Sequence, residues 1–177
     1  MLCLKKIKIE PLDIEGLAKN ENEAIEQRIE RLLAQWEFTP YLAGQCVRCR
    51  GVDCVHFIAS IYDELTGKEY RHTKLPQDAA FHNKQEAEKN TRRFFKMYPC
   101  SPVEGGIVQP GDIVICGPVG KNGGPGHGMI VGVSSLWHVD SKCVCKAGLA
   151  VMQKGAYAFK QIRRLKDRSI MFRRLYG

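Results

Sequence analysis

Two side chains suited to thiol chemistry stand at distinctive places in the sequence. Cys54 follows the polar run Arg50-Gly51-Val52-Asp53 and begins an apolar stretch, while His127 lies within Gly124-Pro125-Gly126-His127-Gly128. A thiol at a helix N-terminus that faces an imidazole can ionise and attack a carbonyl carbon, because the helix dipole and a neighbouring cation both favour the thiolate. The pair therefore predicts a cysteine hydrolase.

The strands expected around and after His127 suggest how a third group joins this pair. Apolar runs over 129–133 and 136–140 are expected to form an antiparallel hairpin, whose pleat would place His127 and His138 on one face. We expect the helix that begins at Cys54 to pack against that face, so that His127 accepts the thiol proton and His138 orients its ring. Asp140, two residues beyond His138, is an alternative orienting group.

Each of these residues also has a structural interpretation. Cys54 fits a buried core cysteine, His127 a loop histidine among glycines, and His138 a hydrogen-bonded strand histidine. His56 does not fit the role of base, since two positions along a helix turn its side chain about 200° away from Cys54. The coincidence of a cysteine at a helix start with a distant histidine-bearing strand pair favours the catalytic interpretation.

Hydrophobic periodicity places helices in the first half of the chain and strands in the second. Apolar spacings of three and four predict helices over 22–36, 53–66 and 83–98. Asp53 is expected to be the N-cap of the second helix, and Gly67 its C-cap.

The second half contains short runs of strand-forming residues separated by glycine and proline. Strands are predicted over 113–116, 129–133 and 136–140, and the C-terminal third fits either more strands or a basic helix. Helices followed by strands predict an α+β fold in one domain. We expect residues 1–35 to form a strand-and-helix extension packed on a core of residues 36–177.

The charge of the chain is concentrated near its C-terminus. Net charge is +8, and residues 160–174 hold seven cations against the single acid Asp167, which accounts for +6 of that total. The stretch is either an anion-binding patch or a solvated edge segment. Because no aromatic interleaving or recognised motif accompanies the charge, nucleic acid is not an expected partner.

The eight cysteines and the N-terminal residues bear on cellular location. No secretory signal pattern opens the chain and no apolar run reaches ~20 residues, so we expect synthesis in a cytoplasm, no membrane span and reduced thiols. One alternative is a structural zinc ion held by Cys46, Cys49, Cys143 and Cys145, although the Cys-x-Cys spacing of the second pair is unusual for zinc.

Five segments together resemble a known family. They are Trp36-x-x-Thr39-Pro40-Tyr41, Gly51-Val52-Asp53-Cys54, Pro110-Gly111-Asp112-Ile113-Val114, Gly126-His127-Gly128-Met129-Ile130-Val131-Gly132 and Leu136-Trp137-His138. Their order and spacing, over about residues 36–140, are similar to those of the NlpC family. These papain-like cysteine peptidases cut the peptide stems of bacterial cell walls, and the chain most resembles the branch encoded among phage tail genes.

The resemblance implies a papain-like fold, in which N-terminal helices pack on a central antiparallel sheet. It implies Cys54 as nucleophile, His127 as base, His138 as the third polar residue, Tyr41 as a contributor to the oxyanion site and Asp53 as the acid that meets a substrate amine. It implies no metal and no cofactor. The partners it implies are a peptidoglycan stem peptide and phage tail proteins, and the location it implies is the virion or the cell wall.

Two positions depart from the family pattern. Val55-His56 stands where the family usually has Ser-Gly, and Gly128 stands where a valine or alanine usually follows the histidine. The departures keep open a non-catalytic papain-like binding module of a phage or cell-surface assembly that uses the basic C-terminal stretch to hold an anionic polymer. Acyl transfer also remains open, because it begins with the same thioester as hydrolysis.

Overall fold

The computed structural model describes residues 8–9, 19–67, 75, 84–103, 107–118, 127–148 and 157–166. Its helices are α1 (Lys19–Ala34), α2 (Cys54–Thr66) and α3 (Lys84–Met97). Its strands are β1 (Lys8–Ile9), β2 (Cys46–Val47), β3 (Gly51–Val52), β4 (Cys100–Pro102), β5 (Ile107–Val108), β6 (Ile113–Pro118), β7 (His127–Val131), β8 (Leu136–Val139), β9 (Val144–Ala147) and β10 (Tyr157–Leu165). The three predicted helices and three predicted strands are confirmed within a few residues.

A six-stranded antiparallel sheet forms the centre of the described fold. Its strand order is β4-β10-β6-β7-β8-β9, and two-stranded pairs β1-β5 and β2-β3 lie outside it. The α+β class predicted from the sequence is therefore confirmed. The C-terminal third, for which the sequence fits either strands or a basic helix, contributes β9 and β10. The strand interpretation is therefore correct over the described residues.

Helix α1 joins the same core as the sheet. Ile25, Ile29 and Leu33 recur at spacings of four, and all three are buried in one cluster with α2 and the sheet. Trp36 follows the helix in a turn and is also buried, with its ring 6.0 Å from that of Phe57. The apolar stripe of α1 thus becomes part of the core that supports α2.

Strand alternation divides the sheet into two faces. On one face Ile113, Ile130 and Trp137 pack in the cluster that contains the buried residues of α2. On the other face Val114 and Met129 belong to a second cluster that contains no α2 residue.

The strand register assigns the two predicted histidines to the second of these faces. His127 precedes Met129 by two residues, and His138 stands directly opposite Met129 in the β7–β8 pairing. The expectation that both histidines share a face is consistent with this register, but the expectation that the Cys54 helix packs on that face is wrong. Helix α2 covers the opposite face, because its large apolar residues pack against Ile130 and Trp137.

Helix α2 nevertheless runs alongside β7 in the same direction. The Ile58 side chain lies over Gly128, where a Cβ atom would stand 2.8 Å from Ile58 Cδ1. One turn later the Tyr62 hydroxyl donates to the Gly111 carbonyl at 2.9 Å, and the Gly111 amide donates to the Val131 carbonyl at the end of β7. The N-terminus of α2 therefore lies at the beginning of β7.

The described part of the basic C-terminal stretch lies inside the sheet. Strand β10 pairs with β4 on one side and β6 on the other, so the interpretation of an edge segment is wrong for these residues. Arg164 makes two hydrogen bonds, at 2.9 and 2.7 Å, to the buried carboxylate of Asp112, and the Arg163 guanidinium lies 5.0 Å from the centre of the Phe95 ring. Residues 167–174 lie outside the described residues.

Among the residues that the structure describes, no helix is long and apolar enough to cross a bilayer.

Candidate active site

The loop before α2 fixes the position of Cys54. Asp53 is the N-cap of the helix, as predicted, and its Oδ1 accepts the Val55 and His56 amides at 3.0 and 2.9 Å. Its Oδ2 accepts the Gly44 amide at 2.9 Å and lies 2.8 Å from Nδ1 of His56. These bonds hold the preceding loop against the helix, so that the half-buried Cys54 becomes its first residue.

The Cys54 sulfur meets β7 where that strand separates from β8. Pairing between β7 and β8 runs from Val131 back to Met129 and does not extend to Gly128. The backbone amide of Gly128 lies close enough to the Cys54 sulfur to lower the pKa of the thiol, as do the amides of Cys54 itself and Val55. The sulfur thus lies close to the residue that directly follows His127.

The two histidines form a pair at the same end of the sheet. His127 Nε2 lies 3.0 Å from His138 Nδ1, and the two rings are nearly perpendicular, at 84°. Since Nε2 of His127 is directed at His138, Nδ1 is the nitrogen that would have to exchange a proton with a thiol or a substrate. His127 and His138 are therefore associated, as predicted. The pair completes a nucleophile–base–orienter arrangement if His127 Nδ1 accepts the proton of the Cys54 thiol.

The structure adds Cys145 to the site, a role that the sequence did not indicate. The Cys145 sulfur lies 3.4 Å from His138 Nε2 and 3.6 Å from Asp140 Oδ2. Asp140, the predicted alternative orienter, thus reaches His138 through the Cys145 thiol. Its Oδ1 accepts the Lys142 and Cys143 amides at 2.6 and 2.8 Å, which fixes the carboxylate. Cys145 lies opposite His138 in the pairing of β8 with β9, and this register is known only from the structure. No pattern in the sequence therefore pointed to Cys145 at this site.

Burial keeps the principal groups of the site uncharged at neutral pH. Burial, and then the charge of Asp53, raise the pKa of Cys54 to about 11, although the three backbone amides act in the opposite direction. Burial and the neighbouring His138 lower the pKa of His127 to about 4, against the effect of Asp140. Burial also lowers the pKa of His138, while hydrogen bonds from Cys143 and Lys142 lower that of Asp140.

The two predicted substrate-binding residues differ in their surroundings. Tyr41 is 44% exposed and forms a bridge with Val52, two residues before Cys54, and its contribution to an oxyanion site stays a prediction. Asp53 is 5% exposed, and both of its oxygens are engaged by the loop, the helix and His56. The geometry gives Asp53 a structural role, and its contact with a substrate amine stays a prediction.

The four cysteines of the zinc alternative lie in different environments. Cys46 Sγ is 2.7 Å from Ser60 Oγ on α2, whereas Cys145 faces His138 and Asp140. Cys49 is exposed, and its amide donates to the Thr39 hydroxyl. Within the described ranges, no group of three or more histidine, cysteine or acidic side chains is arranged to hold a metal ion.

Comparison with models of known protein families and with curated proteins finds no match for this chain. The functional assignment therefore depends on the geometry of the site.

Proposed function

We propose that this protein is a cysteine peptidase of the papain-like, NlpC type, which cleaves an amide bond in bacterial cell-wall peptides. The observation that carries the proposal is the proximity of the Cys54 sulfur to the backbone amide of Gly128, the residue that follows His127, together with the hydrogen bond between the rings of His127 and His138. The residues that we propose as nucleophile, base and orienting group thus lie near one end of the sheet. The sequence resemblance supplies the substrate class.

The reaction begins with an uncharged thiol and an uncharged imidazole. As the Cys54 sulfur attacks the substrate carbonyl carbon, His127 Nδ1 takes the thiol proton, so general-base catalysis replaces a preformed ion pair. The carbonyl oxygen gains the negative charge and is stabilised by the backbone N–H of Cys54 at the start of α2, together with Tyr41. His127 then protonates the leaving amine as the carbon–nitrogen bond breaks, which leaves a thioester on Cys54.

A water molecule completes the cycle. His127 removes one proton from the water, the resulting hydroxide attacks the thioester carbonyl carbon, and the carbon–sulfur bond breaks. The proton on His127 returns to the Cys54 sulfur, and the product leaves as a carboxylic acid. An amine that attacks in place of water would give acyl transfer through the same intermediate.

The proposal is tested with purified cell-wall stem peptides and mass spectrometry of the products. We expect Cys54→Ala and His127→Ala each to lower the turnover of a cleaved peptide by at least about 1,000-fold, because nucleophile and base act as a unit. Cys49→Ala removes an exposed thiol outside the site and is the matched control, with activity unchanged. Cleavage that persists in both Cys54→Ala and His127→Ala would exclude thiol catalysis.

A second candidate is a non-catalytic papain-like binding module. It is favoured by the raised pKa of Cys54, which keeps the thiol uncharged, and by the engagement of both Asp53 oxygens within the protein, which competes with binding of a substrate amine. A peptidyl chloromethyl ketone distinguishes the two. An enzyme is alkylated selectively at Cys54 in a manner that requires His127, whereas a binding module is labelled slowly and without preference among its accessible thiols.

A further inference from the structure

His138 and Cys145 stand side by side in the sheet. The register pairs Met129 with His138 and His138 with Cys145, so the three residues form one row across β7, β8 and β9. Directly opposed residues of antiparallel strands project from the same face. Cys145 is therefore held by the sheet itself at the nitrogen of His138 that is remote from His127.

The direction of the hydrogen bonds in this row is fixed at the Asp140 end. Its carboxylate is an acceptor only, and Oδ1 is engaged by two backbone amides, which leaves Oδ2 toward the Cys145 thiol at 3.6 Å. The thiol proton is therefore donated to Asp140. A thiol has one proton, so toward His138 Nε2, at 3.4 Å, the same sulfur must act as the acceptor.

The direction of donation at Cys145 fixes the direction at both imidazole rings. With its proton on Nε2, neutral His138 has an unprotonated Nδ1, which accepts from Nε2–H of His127 at 3.0 Å. Neutral His127 then has an unprotonated Nδ1. We propose that Cys145, with Asp140, is a positioning residue that fixes the tautomers of His138 and His127 and so keeps His127 Nδ1 ready to accept a proton. This inference rests on the proposed role of His127 as base.

The tautomers are measured directly by ¹⁵N NMR of histidine-labelled protein at pH 7. We expect His127 and His138 of the unaltered protein each to carry the proton on Nε2. In Cys145→Ala, His138 loses the acceptor at Nε2, and we expect both rings to show mixed tautomers. Cys143→Ala is the matched control, because this neighbouring thiol makes no described hydrogen bond to either ring, and it should leave the tautomers unchanged.

A second variant, Asp140→Asn, is expected to reverse the direction of hydrogen-bond donation along the row. The two backbone amides hold the side-chain oxygen of the new residue, so its NH₂ group faces Cys145 and donates to the sulfur. The thiol then donates to His138 Nε2, His138 donates through Nδ1 to His127 Nε2, and His127 carries its proton on Nδ1. The NMR signature is the Nδ1–H tautomer for both histidines, a result that a merely structural role for Cys145 does not produce.

Kinetics give the functional counterpart. We expect kcat to fall about tenfold in Cys145→Ala and at least about 100-fold in Asp140→Asn, with KM nearly unchanged, because the base holds its proton on the wrong nitrogen. Unchanged tautomers in both variants, or the same change in Cys143→Ala, overturn the inference. The NMR result does not depend on turnover. Absence of peptide cleavage by the unaltered protein would therefore refute the proposed function and leave the tautomer assignment of the row intact.

Discussion

At the scale of single residues, Cys54 and His127 rest in their uncharged forms. The sequence suggested an ionised sulfur at a helix terminus, and the amides of Gly128 and Val55 do lower the pKa of the thiol. Burial and the negative charge of Asp53 outweigh them, and the pKa of Cys54 reaches about 11. The number of charged side chains near a buried atom depends on three-dimensional packing, so the sequence could not reveal this balance.

The resting state predicts the pH dependence of alkylation by iodoacetamide. Only the thiolate reacts, and below a pKa of about 11 its fraction rises about tenfold per pH unit. We therefore expect the rate constant for Cys54, followed by peptide mass spectrometry, to rise steadily from pH 6 to pH 10. His127→Ala should leave the rate at pH 7 nearly unchanged. A plateau between pH 5 and 7 would instead reveal a preformed ion pair and contradict the prediction.

The Asp53 carboxylate holds the loop that precedes it and the helix that follows it. Asp53→Ala removes the N-cap and leaves the His56 side chain, which is 3% exposed, without its partner. We expect the free energy of unfolding in urea to fall by about 2–4 kcal/mol, the sum of a lost cap and an unsatisfied buried donor. Glu64 lies on the same helix as His56 and forms an exposed ion pair with Arg48. Glu64→Ala breaks only this pair, so we expect it to lower the free energy of unfolding by less than about 1 kcal/mol.

At the scale of elements, the site depends on how closely α2 approaches β7. The sequence predicted both elements and the common face of the two histidines, yet it placed the helix on the wrong face. Alternation shows which residues share a face, but Ile113 and Ile130 on one face are as apolar as Val114 and Met129 on the other. The pattern therefore gave no indication of the face that α2 would cover.

The two elements approach each other closely at Gly128. A Cβ atom there would stand 2.8 Å from Ile58 Cδ1, so Gly128→Ala must displace Ile58 or α2. We expect a loss of about 1–3 kcal/mol in the free energy of unfolding and at least a tenfold loss in kcat/KM, since Cys54 and His127 lie on the displaced elements.

A second substitution tests the cause of that loss. Ile58→Val removes Cδ1, and we expect the double variant Gly128→Ala/Ile58→Val to recover most of the kcat/KM lost in Gly128→Ala. Gly148→Ala is the matched control, because an added Cβ there has no atom within 4 Å. Equal activities of the single and double variants would show that the approach of α2 to β7 does not control catalysis.

At the scale of the whole molecule, local patterns predicted the three described helices and three strands of the central sheet, but missed the organisation of the C-terminal third. Strand β10 carries cations typical of a solvated segment, yet it lies inside the sheet because Asp112 neutralises Arg164 and Phe95 covers Arg163. The sequence did not indicate Cys145 for a related reason. Its role depends on the pairing of β8 with β9, and no feature within either strand specifies that register.

Stability of the whole molecule should depend on pH through His127. Its pKa is about 4 in the folded protein and about 6.5 when unfolded, so the unfolded chain binds more protons between these values. We expect the free energy of unfolding to fall by about 3 kcal/mol as pH drops from 7 to below 4, and His138 to add in the same direction. Asp140, with a lowered pKa, acts below this window.

The measurement is urea denaturation at a series of pH values between 7 and 4. His127→Asn removes the titrating ring, so we expect a shallower pH dependence than in the unaltered protein. Identical slopes in the two proteins would show that His127 is not buried in its neutral form.

The junction of Cys54 with the first residues of β7 joins parts of the chain that are 73 positions apart, from residue 54 to residue 127. Closing so long a loop costs entropy that only the completed sheet offsets. During synthesis on the ribosome the proposed nucleophile therefore emerges well before its proposed base. Under the proposed peptidase function, hydrolytic activity would arise only once the last strands have docked, which would shield neighbouring polypeptides from premature cleavage.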